Sequence, residues 1–389
     1  MSTYLLLCVV GKFETTEIAL KNGIKVRGLT PEGYSASVKH FMQLASEAIE
    51  FYEDYFGVPY PLPKLDLVSV HAMEFRAMEN WGAITFLSKV LLLDPETTPA
   101  ELIQRNARSV AHEISHMWFG NLVTLKWWDD IWLNEGFARY LEHHVLDTLR
   151  PSFRSWDKYL QQVYQNAVEA DWVLAKTHPV QITVPDPDSL SDVFDNISYA
   201  KGSVICRMIH AFVGDDDLFK KCLSTYIKKY SFKNTETRDL LNIIDELLAE
   251  AQHGAGIKCS EFILPWIQQP CFPVLRATRT GSKKYMLQQY CVSSNVDERA
   301  KKLLWPIQVN WMTNKGLTGS LILKERSKEF SLEDKVSEEE EVFVYFNHGM
   351  KGFYITIYDD AEFKKMAEHL GSFSEADRFG MLYTLTKTS

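Results

Sequence analysis

No two of the six cysteines in this 389-residue chain stand in CxxC spacing. That argues against structural zinc fingers and leaves free, buried thiols as the expectation. Long apolar runs are also missing. The run near the start, Tyr4–Val10, is far shorter than the ~20 residues that span a bilayer. No basic residue precedes it and no small-residue cleavage site follows, so it is read as a β-strand rather than a signal peptide. With scattered cysteines, this gives the expectation of a cytoplasmic protein, a lost membrane anchor being the alternative. An excess of basic residues is absent too: 42 Lys and Arg stand against 51 Asp and Glu, a net charge of −9. Nucleic acid and anionic lipid are poor partners for such a chain, whereas a cleft for cationic groups suits it.

The composition that remains is 46% hydrophobic and 24% charged, with 19 Gly and 14 Pro, which describes a folded protein with a sizeable core. The length corresponds to two or three domains. A single sequon, Asn196-Ile197-Ser198, is weak support for secretion.

Patterning predicts strands at Tyr4–Val10, Glu17–Leu20 and Ile24–Val26, then a helix starting at Thr30-Pro31-Glu32 and stopping at Gly57. Strands at Leu65–Val70 and Gly82–Leu87 precede helices over about 99–119 and 133–149, with more helices over 152–175, 199–213, 216–229 and 236–251. Beyond Pro270–Pro273, short alternating stretches (Ile307–Trp311, Ser320–Leu323, Val342–Phe346, Phe353–Tyr358) predict a small all-β module, and the pattern turns helical from Asp360. The acidic run Glu338–Glu341 reads as a solvated turn.

One segment carries chemistry: His112-Glu113-Ile114-Ser115-His116. Residues four apart share a helix face, so both imidazoles can reach one ion, while Glu113 reaches a metal-bound water rather than the metal. A chance match to this pattern is expected only ~0.04 times in such a composition. The helix is strongly apolar (Leu102, Ile103, Ala107, Val110, Ala111, Ile114, Trp118), so buried histidines there need partners. Glu135, in Trp132-Leu133-Asn134-Glu135-Gly136-Phe137-Ala138, is a third candidate ligand on the next helix, and zinc favours such a His/His/Glu set with one open position.

HExxH, eighteen residues, then Glu within WLNEGFA resembles the gluzincin aminopeptidases, the group typified by puromycin-sensitive aminopeptidase. Residues His116–Thr124 resemble that family's HxWFGNxVT, Ala77–Gly82 the latter part of its GxMEN motif, and Ile197–Gly202 its ISYxKG segment. Phe272-Pro273-Val274 and Gly352-Phe353-Tyr354 resemble the borders of its β-sandwich. The resemblance implies an α/β (α+β), thermolysin-like, mainly helical catalytic domain over 29–271. Residues 272–360 would be the β-sandwich, with a remnant of an N-terminal β domain at 1–28 and the start of a C-terminal helical domain at 361–389. It implies one zinc on His112, His116 and Glu135, with Glu113 as general base and Tyr199 as the hydroxyl that steadies the oxyanion. Ala77, Met78, Glu79 and Asn80 would bind substrate. Glu79 would select the free α-amine of a peptide, whose pKa near 7.7–8.0 keeps it mostly cationic.

Two positions depart from the family pattern: Arg76 stands at the first Gly of GxMEN and Met117 at the usual Gln. Arg76 is expected to crowd the cleft or change what fits beside the metal. His143 and His144 read as surface residues or as support behind the ligands, and Lys201-Gly202 as shaping the loop around Tyr199. The leading function is a zinc aminopeptidase acting on peptides with a free N-terminus. A regulatory paralogue of low turnover and another zinc hydrolase, an endopeptidase or epoxide hydrolase, are the alternatives.

Overall fold

The computed structural model describes residues 2–186, 190, 193–253, 256–295, 297–336 and 342–388. The chain divides into two compact units, Met1–Trp156 with Asp216–Ile243, and Asp157–Asp215 with Ile244–Ser389.

The first unit is built on a five-stranded sheet of β1 (Glu14–Ala19), β2 (Lys25–Thr30), β3 (Lys64–Val70), β4 (Ala77–Met78) and β5 (Ala83–Leu87). Their spatial order is β1-β2-β3-β5-β4, with β2, β3 and β5 parallel and the two outer strands antiparallel to their neighbours. Central β3 is buried along nearly its whole length, its Asp66 paired with Arg27 and Lys64 and its Ser69 bonded to Ser88. Two-residue β4 forms one edge and leaves its outer backbone groups unpaired within the sheet.

Helix α1 (Lys39–Phe56) buries Phe41, Ala45, Ile49, Tyr52 and Phe56, and ends at left-handed Gly57 as its sequence predicts. A single turn, α2 (Ser88–Leu91), leads to α3 (Ala100–His116) and α4 (Trp132–Leu149). Between them, β6 (Val123–Leu125) pairs in parallel with β7 (Lys233–Thr235). Trp118, just past α3, locks this layer together. Its ring lies 5.7 Å from Tyr52 and 5.8 Å from Phe56, and its indole N–H donates to the Val58 carbonyl at 3.0 Å. Each such buried aromatic contributes ~1.5–3 kcal/mol relative to exposure, which makes the floor beneath the histidines rigid.

The second unit contains a four-stranded sheet (Ser327–Ser331, Lys284–Cys291, Pro273–Gly281, Ile355–Tyr358) and a three-stranded sheet (Thr318–Leu323, Ile307–Thr313, Val344–Phe346). Phe330 from the first packs on Trp311 and Phe346 from the second, at 5.3 and 5.4 Å. The helices Asp360–Glu368 and Glu375–Thr388 bring Met366 and Met381 onto Phe343 and Tyr345. Among the described residues no helix is long and apolar enough to cross a membrane.

Several local expectations are corrected. Tyr4–Val10 is not a strand: Thr3–Leu5 form one 3-10 turn and no strand pairs with the rest. Leu6 and Val10 are 67% and 93% exposed. An apolar run without a partner strand has no ladder to satisfy its backbone. The first long helix begins at Lys39 rather than near Pro31, because the chain first makes turns through Gly33 at φ +87°. The helix expected over 152–175 runs without a break from Ser155 to Ala170 but is shorter at both ends and wound as a π-helix over Tyr159–Tyr164. Cys259–Gln268 is helical despite Pro265 and was not anticipated. The acidic run at 338–341 lies outside the described residues.

Candidate metal centre and amine site

His112 and His116 lie in the last two turns of α3, one turn apart, and Glu135 lies in the first turn of α4. A carboxylate in a helix's first turn is favoured by the unsatisfied N–H groups there. The three side chains are buried and their ligand atoms converge. His112 Nε2 lies 3.1 Å from His116 Nε2 and 3.3 Å from Glu135 Oε2, and His116 Nε2 lies 3.4 Å from the same oxygen. Tetrahedral zinc with bonds of about 2.0–2.1 Å spaces its ligand atoms about 3.3 Å apart, so this triangle fits one face of such a site.

The outward nitrogens fix the tautomers. His116 Nδ1 lies 2.9 Å from the Phe119 carbonyl, so it donates there. His112 Nδ1 lies 2.9 Å from Glu142 Oε2. With Nδ1 carrying the hydrogen on both rings, both Nε2 lone pairs face the Glu135 carboxylate, a set that demands a cation. Without a metal, protons take that place. Burial opposes the charged imidazolium of His112, but the hydrogen bonds to Glu135 and Glu142 outweigh it and raise its pKa to about 10. His116 is raised to about 9 against the same burial by the charges of Glu135 and Glu79.

Glu142 was not anticipated, although its spacing carried the signal: Glu135, Arg139 and Glu142 recur at i, i+4 and i+7 and so form one stripe of α4. Burial works against its charge, but Arg139 and then His112 hold it ionised, down to about 2. His143, fully buried, donates from Nδ1 to the Ser155 carbonyl at 2.9 Å, and its Nε2 lies 3.4 Å from Glu142 Oε1. His143 is thus not a surface residue, and His144 packs on the rings of Phe51 and Tyr55. Removing a partner that orients a ligand lowers metal affinity by ~10–100-fold. Glu142→Ala is expected to weaken zinc binding by that amount in a chelator-competition titration, with the fold retained.

Glu79, Glu113 and His116 form a second group whose ligand atoms also lie within 4.8 Å of one another. Burial raises the Glu113 carboxyl to about 8, with Glu79 and Glu135 reinforcing that rise and His112 and His116 opposing it. Glu79 directly follows edge strand β4 and is only 6% exposed, and among the described residues no Lys or Arg pairs with it, the basic group beside it being His116. Its Oε1 accepts a 2.6 Å hydrogen bond from the hydroxyl of Tyr4, whose ring packs on Trp128 at 5.1 Å. Tyr4 is thus a second unanticipated residue, hidden because its segment reads as a strand.

The loop after α3 ties the two groups together. Asn121 Nδ2 donates to the Glu79 backbone carbonyl at 2.8 Å, and Thr85 donates to the Asn80 side-chain oxygen at 3.0 Å. Gly120 has φ +118°, and a Cβ there would lie 3.0 Å from Asn134 Nδ2 and 3.4 Å from His116 Nδ1. Only glycine fits beside the ligand. Met117 is buried with its sulfur 3.7 Å from Asn121 Nδ2. Arg76 does not turn toward Glu79. It donates to Asn106 Oδ1 at 2.9 Å and Ser109 Oγ at 3.4 Å, both on α3.

Tyr199 lies in the second unit, half-buried on a π-helical turn, Ile197–Lys201. Asp195 caps that turn by accepting from the Ile197 and Ser198 backbone N–H groups at 2.9 and 3.0 Å. Lys201 is fully buried, paired with Asp171 at 2.8 Å and donating to the Cys271 carbonyl, which gives it the shaping role expected of it. Asn196 of the sequon is exposed.

With this geometry in hand, comparison with known proteins decides the family. Residues 40–266 match the peptidase family M1 domain. The chain belongs to peptidase family M1. Among curated relatives, the leucyl aminopeptidase of Saccharolobus solfataricus is 37% identical over 383 residues, 98% of this chain and 46% of its own length. The tricorn protease-interacting factor F2 of Thermoplasma volcanium is 36% identical over 382 residues, covering 98% and 45%. The puromycin-sensitive aminopeptidase of Caenorhabditis elegans is 32% identical over 394 residues, covering 99% and 40%. This M1 peptidase chain spans less than half the length of these relatives.

Proposed function

We propose that this chain carries a zinc-dependent aminopeptidase centre that removes N-terminal residues from peptides. The observation that carries the reading is Glu79: a buried carboxylate that no Lys or Arg neutralises among the described residues, next to Glu113 and the His/His/Glu donor set. A buried carboxylate gains from a cationic partner, and a peptide's α-ammonium group supplies one.

In this reading residues 29–271 are the thermolysin-like catalytic domain and 272–360 the β-sandwich. His112, His116 and Glu135 hold one zinc ion. Zinc bound there polarises the scissile carbonyl and brings the pKa of a bound water toward neutrality. The α-amine sits on the Glu79 carboxylate, kept in place by the Tyr4 hydroxyl, so a blocked N-terminus is refused. Edge strand β4 offers the backbone of Ala77 and Met78 to the peptide in the manner of an added strand, and Asn80 braces the turn that follows. Glu113 takes the water's proton on its carboxylate and passes it to the departing amine. The Tyr199 hydroxyl donates a hydrogen bond to the oxygen that gains negative charge.

The metal assignment is tested by zinc titration of the purified chain. One zinc per chain is expected, and Glu135→Ala is expected to lose more affinity than the ~10–100-fold that a supporting residue costs. Unchanged zinc affinity in Glu135→Ala would remove Glu135 from the ligand set.

A further inference from the structure

A cavity of about 180 Å³ lies within the first unit, bounded by Tyr4, Leu125, Trp127, Trp128, Asn134 and Asn234. Its walls are held by short-range structure. Leu125 and Asn234 belong to the parallel pair β6 and β7, and Asn234 Nδ2 donates to the Leu125 carbonyl at 2.9 Å. Trp128 opens the short 3-10 turn that leads into α4, and its ring lies 5.1 Å from that of Tyr4. The Leu5 carbonyl accepts from the Asn80 side chain at 3.4 Å, which pins the segment carrying Tyr4.

Two of these walls are shared with the chemistry. Tyr4 bounds the cavity while its hydroxyl donates to Glu79 at 2.6 Å. Burial, and then the charge of Glu79, hold that phenol well above its ordinary pKa, so it stays a donor. Asn134 bounds the cavity and directly precedes Glu135, the carboxylate of the donor triangle. With the α-amine on Glu79 and the first carbonyl at the metal, the first residue's side chain branches from the carbon between them. The cavity borders both ends of that span.

Size and lining say which side chain fits. An apolar cavity of about 150 Å³ takes a benzene ring, so this one has room for a phenyl or phenol group. Tyr4, Trp127 and Trp128 offer the ring faces and edges against which another aromatic packs. A methyl group would leave most of that surface without contact. Lys126 also borders the cavity, its Nζ 3.3 Å from Glu236 in an exposed pair. So loose a pair leaves the ammonium charge to oppose a basic side chain, and a carboxylate would give up water for aromatic walls.

We infer that this cavity receives the side chain of the substrate's first residue and selects an aromatic one, with Tyr4 and Trp128 as the walls that determine specificity. The inference rests on the aminopeptidase reading and names its substrate class: peptides that begin with phenylalanine or tyrosine. Tyr4 then has two tasks, steadying the carboxylate that meets the amine and packing on the ring beside it.

The test uses the zinc-loaded full chain and the arylamides of phenylalanine, alanine, arginine and glutamate, each with a free amine. The phenylalanyl substrate is expected to show kcat/KM about tenfold or more above each of the others. Trp128→Ala should bring the phenylalanyl-to-alanyl ratio toward unity. Asn234→Trp, a change at an exposed position that fills the cavity, should lower the same ratio and serves if Trp128→Ala folds poorly. Three results would overturn the inference while leaving the aminopeptidase reading intact: a ratio near one in the unaltered chain, a faster arginyl or glutamyl substrate, or a ratio that neither variant moves. If no arylamide is cleaved at full zinc occupancy, that reading fails instead. The Kd values of phenylalaninamide and alaninamide for zinc-loaded Glu113→Gln then decide the cavity alone, tighter phenylalaninamide supporting it and equal values overturning it.

Discussion

Replacing Glu113 by glutamine is expected to lower kcat by ~10²–10⁴, the range that a positioned general base contributes. Zinc should stay bound, because the donor triangle of His112, His116 and Glu135 does not include Glu113. The amide is nearly the same size and can still accept a hydrogen bond, but it cannot take a proton at neutral pH. In the metal-free protein burial and the charge of Glu79 help hold the Glu113 carboxyl up, to about 8. A dication on the neighbouring ligands would favour the ionised form instead, the form a general base requires. Normal hydrolysis by zinc-loaded Glu113→Gln would withdraw the role from Glu113; metal analysis beside the kinetics shows that the comparison is made at equal zinc content.

The second large effect is expected at Glu79. Glutamine there keeps an acceptor for the Tyr4 hydroxyl but removes the charge proposed to meet the α-amine. Losing one partner of a buried charged pair costs ~3–5 kcal/mol. Glu79→Gln is therefore expected to lower kcat/KM on free-amine peptides by ~10²–10³, while the low rate on N-acetylated peptides changes little. The preference for free over blocked N-termini, measured as a ratio of kcat/KM values, should shrink by about the same factor. A ratio that survives the substitution would place amine recognition elsewhere.

Much of this site is legible in the primary sequence, for a physical reason. His112, His116 and Glu135 lie on helices, where fixed periodicity turns sequence spacing into spatial proximity, and the apolar face of α3 marks which side is inside. The same periodicity placed Glu142 beside Glu135, and only its partner, the far nitrogen of His112, needed coordinates to be seen. Tyr4 is the opposite case. It lies 75 residues from Glu79 in a segment whose composition resembles a strand, and no local rule tells an apolar run that docks from one that pairs. The late start of α1 has a similar origin. Thr30-Pro31 is an acceptable N-cap, but the turn at Gly33 consumes the residues that would form the first turns. Arg76 shows the limit of reading one position alone. Its departure from the family motif suggested a crowded cleft, whereas Asn106 and Ser109 on α3 draw its side chain aside.

The proposed site joins a metal-bound hydrolytic centre to a carboxylate that recognises amines. Its most direct test is the rate at which the zinc-loaded chain hydrolyses one aminoacyl arylamide in two forms, with the α-amine free and with it acetylated. Hydrolysis of the free form at a rate proportional to bound zinc, with the acetylated form slower by ~10² or more, is the predicted result. Equal cleavage of both forms, or none of the free form at full zinc occupancy, would contradict it.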